Sequence, residues 1–399
     1  MGGEKITFET ITNYPISSNK SKKQKIGIFI RGKTNYYSSN SYIRLLSPLN
    51  ELTNDNDICI IDNTTHNKLL KDLENKKNLD TIIIQRDIFD ISKINSKFIK
   101  ALFKLLKKNN IRIIFDIDDD LLNIDKTHAS YDRYSKIYEI LIFILKNSDI
   151  ITVSTEHLKN SLKEYNENII IIPNTLMKLW NFNPKTTPRN LNSKKTIKIG
   201  YFGTRTHEQD IKIINDAFIN LKKKIKNKNI ILEIVGVCDE EHEWITRINI
   251  PNNYKKNPNI KEKIKNLIQY FFNKFNIMPN QLPYVSFIKW MQNEIDWDIA
   301  IAPLEESNIN RSKSNLKYLE YTALNIPCIY SNVGPYKEMK IKNTGLIVNN
   351  TTEEWENALI SLITNTKLYN QLLRNAYNDI EKNYLVENAV LSWKKILNE

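Results

Sequence analysis

The sequence predicts an α/β protein built from two doubly wound parallel sheets in tandem, and three observations predict it. Short apolar runs rich in isoleucine and valine alternate with longer amphipathic stretches, the pattern of strands joined by crossover helices. The alternation breaks near the middle, at NFNPKTTPRNLNSKKT (181–196), which carries two prolines and no apolar periodicity. It then starts again. A chain of 399 residues is also too long for one ordinary core, so two domains are the expectation from length alone.

In the first half the expected strands are KIGIFI (25–30), DICIID (57–62), DTIIIQ (80–85), IRIIFDI (111–117), DIITVS (149–154) and NIIIIPN (168–174). Helical patterns lie between them, as in SKFIKALFKLLKKNN (96–110) and YSKIYEILIFILKNS (134–148). In the second half the strands are TIKIGYFG (196–203), NIILEIVGV (229–237), YVSFI (284–288), DIAIAPL (298–304), PCIYS (327–331) and GLIVNN (345–350). The expected organisation is a flexible tail over 1–24, domains over 25–180 and 197–384 joined by the 181–196 linker, and a last helix over 385–399. Two such sheets in tandem leave a cleft at their strand ends, where ligands bind in this architecture. No GxGxxG or Walker A sequence follows any strand, which argues against NAD and P-loop chemistry.

Composition narrows the class further. Apolar residues make up 41% and charged residues 26%, as in a soluble globular protein. Cys59, Cys238 and Cys328 are widely separated, so neither a disulfide framework nor a zinc site is expected and a reducing compartment fits. The N-terminus shows no secretory apolar region, and MGGEKI places Ile6 where a myristoylation signal needs Ser or Thr. The apolar run ILIFIL (140–145) is too short to span a bilayer. The net charge is +13, and Lys plus Arg exceed Asp plus Glu by 29 to 22 over 1–190 and by 29 to 23 over 191–399. An excess spread so evenly suits anionic substrates or a membrane surface better than nucleic acid, so no nucleic-acid partner is expected. Residues 259–276 read as an amphipathic helix ringed by lysines. It is either a peripheral membrane-surface helix or, the commoner case, a face packed on its own domain.

The stretch RSKSNLKYLEYTALNIP (311–327) carries Lys313, Lys317 and Glu320 at i, i+4 and i+7. On one helix these share a face, with Lys313 and Glu320 roughly 10 Å apart along the axis. Ser312 and Ser314 are the expected N-caps. Leu316, Leu319 and Ala323 form the expected apolar stripe, and Pro327 closes the segment after Asn325. A cationic helix N-terminus binds phosphate, and a carboxylate two turns on accepts hydrogen bonds from sugar hydroxyls. The spacing therefore fits a nucleotide-sugar, and equally a solvated helix face of no consequence. The loop GTRTHEQD (203–210) adds Gly203 at a strand end, the phosphate-forking guanidinium of Arg205, and His207 as a donor to a phosphate or sugar oxygen. In FDIDDDL (115–121), Asp116, Asp118, Asp119 and Asp120 admit three readings: acceptor or catalytic carboxylates, caps of the following turn, or a metal site. His128 is a weaker candidate; His66, His157 and His242 lack ligand spacing.

The ordered set IGYFGTRTHEQD, DIAIAPL, KSNLKYLEYTALNIPCIYSNVGPYKE, TGLIV and EEWENAL resembles the GT-B glycosyltransferases of the family-4 type. QRDIF, FDIDDDL and IIPN are similar to a branch associated with bacterial surface polysaccharides. The resemblance implies two Rossmann-like domains facing each other across a cleft, with the last helix crossing back to the first domain. It implies a retaining transfer from a nucleoside diphosphate sugar to a glycan or lipid-linked saccharide in a cytoplasmic enzyme at the inner face of the membrane. Glu320 matches the second glutamate of the family's E-x7-E motif, which binds donor ribose; the first falls at Ser312. Lys313, Ser314, Asn315 and Lys317 lie where the helix N-terminus meets the diphosphate, Arg205 where a phosphate-binding cation sits, and Gly32 in the loop facing the donor. The frequent N-domain histidine aligns with Asp118. Asp118 and Asp119 are the catalytic candidates, and no metal or other cofactor is expected, because the cations take the metal's place. The rival reading is a non-catalytic homologue that binds glycan or nucleotide.

Overall fold

The structure is a computed structural model that describes residues 12–13, 23–32, 37–62, 69–71, 73, 79–88, 96–126, 128, 130–183, 188–203, 208–235 and 284–399. The chain divides into two compact units. One comprises Met1–Lys178, Arg311–Ser314 and Asn383–Glu399; the other Leu179–Asn310 and Asn315–Lys382.

The first unit holds strands β1 (Thr12–Asn13), β2 (Gln24–Phe29), β3 (Asn56–Ile61), β4 (Thr81–Gln85), β5 (Arg112–Ile117), β6 (Ile150–Val153) and β7 (Ile169–Ile171). They form one parallel sheet in the order β1-β3-β2-β4-β5-β6-β7. β1 lies inside the stretch read from sequence as a loose tail and pairs with Cys59 and Ile60. Every residue of β4 is buried, as a strand covered on both faces requires, which is why TIIIQ reads as a continuous rather than alternating apolar run. The Ser96–Lys108 helix buries Ile99, Leu102, Phe103 and Leu106, a 3.6-residue stripe. The last helix, Val386–Asn398, belongs to this unit. Its Trp393 is fully buried and donates Nε1–H to the Arg44 carbonyl at 3.1 Å, and Arg112 Nη1 donates to the Ile396 carbonyl at 2.6 Å.

The second unit holds β8 (Thr196–Phe202), β9 (Asn229–Val235), β10 (Ile299–Ala302), β11 (Cys328–Ser331) and β12 (Leu346–Val348), parallel and ordered β12-β11-β10-β8-β9. Ile199, Tyr201, Phe218, Leu232, Ile301, Trp355 and Tyr369 are among the side chains of its core, and so is Leu191, which lies in the stretch read as a linker.

One expected strand is a helix. YVSFI begins the helix Tyr284–Glu294, whose buried residues Tyr284, Phe287, Ile288 and Met291 follow helical spacing. Five residues are too few to separate the two periods; the eleven that form the element decide it. No helix among the described residues is long and apolar enough to cross a membrane, and residues 259–276 lie outside the described residues.

Candidate functional site

In a doubly wound sheet the crevice forms where neighbouring strands send their connections to opposite faces, at the carboxyl ends of those strands. In the second unit that point lies between β8, which is followed by β9 on one side, and β10 on the other. β8 and β10 are paired at Ile199 and Gly200, and beyond this the hydroxyl of Tyr321 enters. It accepts from the Phe202 amide at 3.2 Å and donates to the Ile301 carbonyl at 3.3 Å. Tyr321 sits on the helix Leu316–Ala323, so this wedge fixes the helix against the switch point. Polar side chains lace the loops there, Asp210 and Ser331 buried and Asn350 exposed. Asp210 Oδ1 accepts from the Glu305 amide at 2.7 Å, and Ser331 Oγ from the Leu304 amide at 2.8 Å. Asn350 Nδ2 donates to the Leu304 carbonyl at 2.9 Å.

The Leu316–Ala323 helix departs from its sequence expectation. It does not run from Ser312 or Ser314: a five-residue helix, Asn308–Ser312, ends there, residues 313–315 are irregular, and the next helix has Asn315 at its N-cap position without a side-chain capping hydrogen bond. Lys317 and Glu320 share this helix; Lys313 does not, so the three are not aligned on one face. The buried residues are five in succession, Tyr318 through Thr322, so the helix is enclosed on every side; of the expected Leu316–Leu319–Ala323 stripe, Leu319 is fully buried and the other two are half-buried. The helix closes as expected before Pro327. Asn325 adopts φ 60°, its amide donates to Thr322 and that of Ile326 to Tyr321, a Schellman arrangement with asparagine in the left-handed position.

Glu320 is 3% exposed, and its Oε1 accepts from the Tyr284 hydroxyl at 2.8 Å. Burial pushes its carboxyl up to about 7, against the opposing pull of the Tyr284 hydrogen bond and Lys317. The Lys317 ammonium lies 5.2 Å from the centroid of the Tyr201 ring. Gly203 bears on that contact, because a Cβ there would lie 2.8 Å from the Tyr201 hydroxyl. Gly203, Tyr201, Lys317 and Glu320 thus form one connected site in the second unit. Tyr201, Tyr284 and Tyr321 were missed by sequence reasoning. Only the helical spacing around Tyr284 could have pointed to one of them. Arg205 and His207 lie outside the described residues.

In the first unit the carboxyl end of β5 carries the aspartates. Asp116 is fully buried, paired with Arg44 at 2.7 Å and accepting from Thr152 Oγ1 at 2.8 Å. Arg44 also donates to the Ile172 carbonyl at 2.6 Å and to Asn174 Oδ1 at 3.0 Å. It sits on a π-helix, Ser41–Leu46. Arg86, one residue past β4, pairs through Nε with Asp118 at 2.6 Å and through Nη1 with Asp119 at 2.7 Å. Asp118 is raised to about 7 by burial first, and Arg86 is the largest of the opposing influences. Asp120 caps a turn, accepting from the Asn123 amide at 3.2 Å. Among the described residues no group of three or more His, Cys, Asp and Glu is placed to hold a metal ion. Gly32 adopts φ 121°, a conformation side chains disfavour, two residues after Ile30 closes onto the Ile61 carbonyl at 3.0 Å. His128 Nδ1 accepts from the Ser130 amide at 3.1 Å.

Arg311–Ser314 belongs to this unit. Ser312 is fully buried and its carbonyl accepts from Thr155 Oγ1 at 3.0 Å; Ser314 Oγ accepts from Asn174 Nδ2 at 2.8 Å. Lys313 is half-buried between them.

Two doubly wound parallel sheets, each in its own unit, make this a GT-B fold. Residues 183–379, just under half of the chain, match the family described as Glycosyl transferases group 1. Among solved structures, Anabaena HepE in complex with UDP-glucose is 11% identical with a TM-score of 0.56, over 93% of this chain and 99% of that one. An alpha-glucosyltransferase in complex with UDP and a 13-mer DNA containing a central A:G mismatch is 12% identical with a TM-score of 0.56, over 95% and 100%. TarM is 14% identical with a TM-score of 0.51, over 83% of this chain, which spans only 58% of TarM. At these identities the likeness shows the fold. Comparison with curated proteins gives no sequence match.

Proposed function

We propose that this chain transfers a glycosyl group, with retention, from a nucleoside diphosphate sugar to a hydroxyl of a glycan or lipid-linked saccharide during surface polysaccharide synthesis. The observation that carries the reading is the buried Glu320 carboxyl on the helix wedged against the β8–β10 switch point, inside the stretch matched by the group 1 family. HepE with UDP-glucose and the alpha-glucosyltransferase with UDP support a uridine nucleotide as donor.

Glu320 accepts hydrogen bonds from the ribose hydroxyls. Lys317, Lys313, Arg205 and the backbone of Gly203, Ser314 and Asn315 take the diphosphate, with His207 and Ser312 at the donor sugar or phosphate and Gly32 giving close backbone approach. In the transfer the acceptor oxygen bonds to the anomeric carbon on the same face from which the diphosphate departs, as retention requires, and the bond from that carbon to the diphosphate oxygen breaks with its electron pair. The cations stabilise that leaving charge in place of a metal. Asp118 and Asp119, held by Arg86, orient the acceptor hydroxyl, and its proton passes to Asp118. The enzyme works in the cytoplasm, and residues 259–276 bring it to the membrane face where a lipid-linked acceptor resides.

The test is a thermal-shift screen with UDP, GDP, dTDP and CMP, with and without EDTA, on wild type and Glu320→Ala. One diphosphate that stabilises wild type, is indifferent to EDTA and is lost in the variant supports the reading. No shift from any of them overturns it. Ser312 at the place of the family's first glutamate favours a second reading, a binding subunit without catalysis. Absence of free nucleoside diphosphate release from any bound donor would select it.

A further inference from the structure

Resting on the nucleotide site just proposed, we infer that Tyr284 is its positioning residue: the Tyr284 hydroxyl holds Glu320 as the hydrogen-bond-accepting carboxylate that ribose needs. The contact is 2.8 Å and both residues are buried, Tyr284 at 8% and Glu320 at 3% exposure. A carboxyl so enclosed prefers its neutral form, and a neutral carboxyl offers the ribose one acceptor fewer. The groups facing it are Tyr284 from the Tyr284–Glu294 helix, Lys317 from its own helix, and Tyr336 from the turn Gly334–Tyr336. Tyr284 and Lys317 favour the ionised form. The phenol of Tyr284 is itself driven well above its ordinary range by burial and then by Glu320, so it remains a donor throughout the working range. Phe287, Ile288 and Met291, buried on the same helix, fix where that donor stands.

The consequence is a pH-linked nucleotide site. Binding requires the carboxylate, so affinity rises as pH passes through the Glu320 midpoint near 7. Losing a hydrogen bond to a charged group moves such a midpoint upward by about one pH unit. The experiment is calorimetric titration of UDP from pH 5.5 to pH 9 into wild type, Tyr284→Phe and Glu320→Gln. Glu320→Gln supplies the titration of the diphosphate itself as baseline. Relative to it, Tyr284→Phe is expected to bind about fivefold more weakly than wild type at pH 7 and close to tenfold more weakly at pH 5.5, to recover most of that at pH 9, and to show the raised midpoint. Because the variant is isosteric, its unliganded melting temperature checks that it folds. 2′-Deoxy-UDP on wild type is a second probe, expected to show a smaller rise with pH. A Tyr284→Phe midpoint equal to wild type, with Glu320→Gln weak and following only the titration of the diphosphate, overturns this inference while leaving the nucleotide site standing. Failure of wild type to bind UDP, GDP, dTDP or CMP at any pH overturns both.

Discussion

Asp118→Asn is expected to make the protein more stable at pH 8 and catalytically silent. Asp118 is 7% exposed, and its carboxyl is raised from 3.8 to about 7 by burial, with Asp119 and Asp116 adding to the rise and Arg86 and Arg44 opposing it. The folded state therefore binds this proton more tightly than the unfolded chain does. Its stabilising contribution is fully present below about pH 4 and is lost as pH rises through 7. Three pH units at about 1.4 kcal/mol each set the cost of the ionised form above pH 7 at about 4 kcal/mol. Asparagine resembles the neutral acid and still offers Arg86 an acceptor, so Asp118→Asn should recover on the order of 2–4 kcal/mol at pH 8 and almost nothing at pH 4. Urea unfolding followed by tryptophan fluorescence at the two pH values measures the difference. The variant should still bind the nucleoside diphosphate, while transfer is lost. Equal urea midpoints for variant and wild type at pH 8, or an advantage of the same size at pH 4, would refute the burial argument.

Other perturbations address the rest of the molecule. Gly203→Ala places a Cβ 2.8 Å from the Tyr201 hydroxyl and should weaken diphosphate binding several-fold by moving the ring under Lys317; adding Tyr201→Phe should restore part of it, as calorimetry would show. Arg44→Ala strands the buried Asp116 carboxyl with Thr152 and should cost about 3–5 kcal/mol in urea unfolding; a loss below about 1 kcal/mol would refute the reading of Arg44–Asp116 as a buried pair that the fold depends on. Arg86→Lys keeps the charge but loses the fork onto Asp118 and Asp119, so acceptor KM should rise about tenfold with UDP affinity unchanged, measured by steady-state kinetics.

Much of the fold was legible because parallel strands buried on both faces must be continuous apolar runs. TIIIQ, RIIFDI and IIII announce themselves without tertiary information. The stop at Asn325–Pro327 was legible for a local reason too, since asparagine tolerates the left-handed cap and proline forbids continuation. YVSFI was not, because five apolar and polar residues satisfy two periods at once. The break at 313–315 was not either. Helical spacing describes what a helix would do, and nothing in RSKSNLKYLE says that the turn after Ser312 is given up.

The sequence by itself determined the class of sheet, the family stretch at 183–379, and the identities of Glu320, Lys317 and Asp118 as chemistry worth examining. Only the tertiary structure decided their electrostatic state. Glu320 meets Tyr284 across 36 positions of chain, and Arg86 meets Asp119 across 33. Burial and partners at such separations depend on how strands and helices pack, and local sequence carries no record of them. A carboxyl in solvent and a carboxyl under a tyrosine are the same letter, and the low dielectric around the second is a property of the fold.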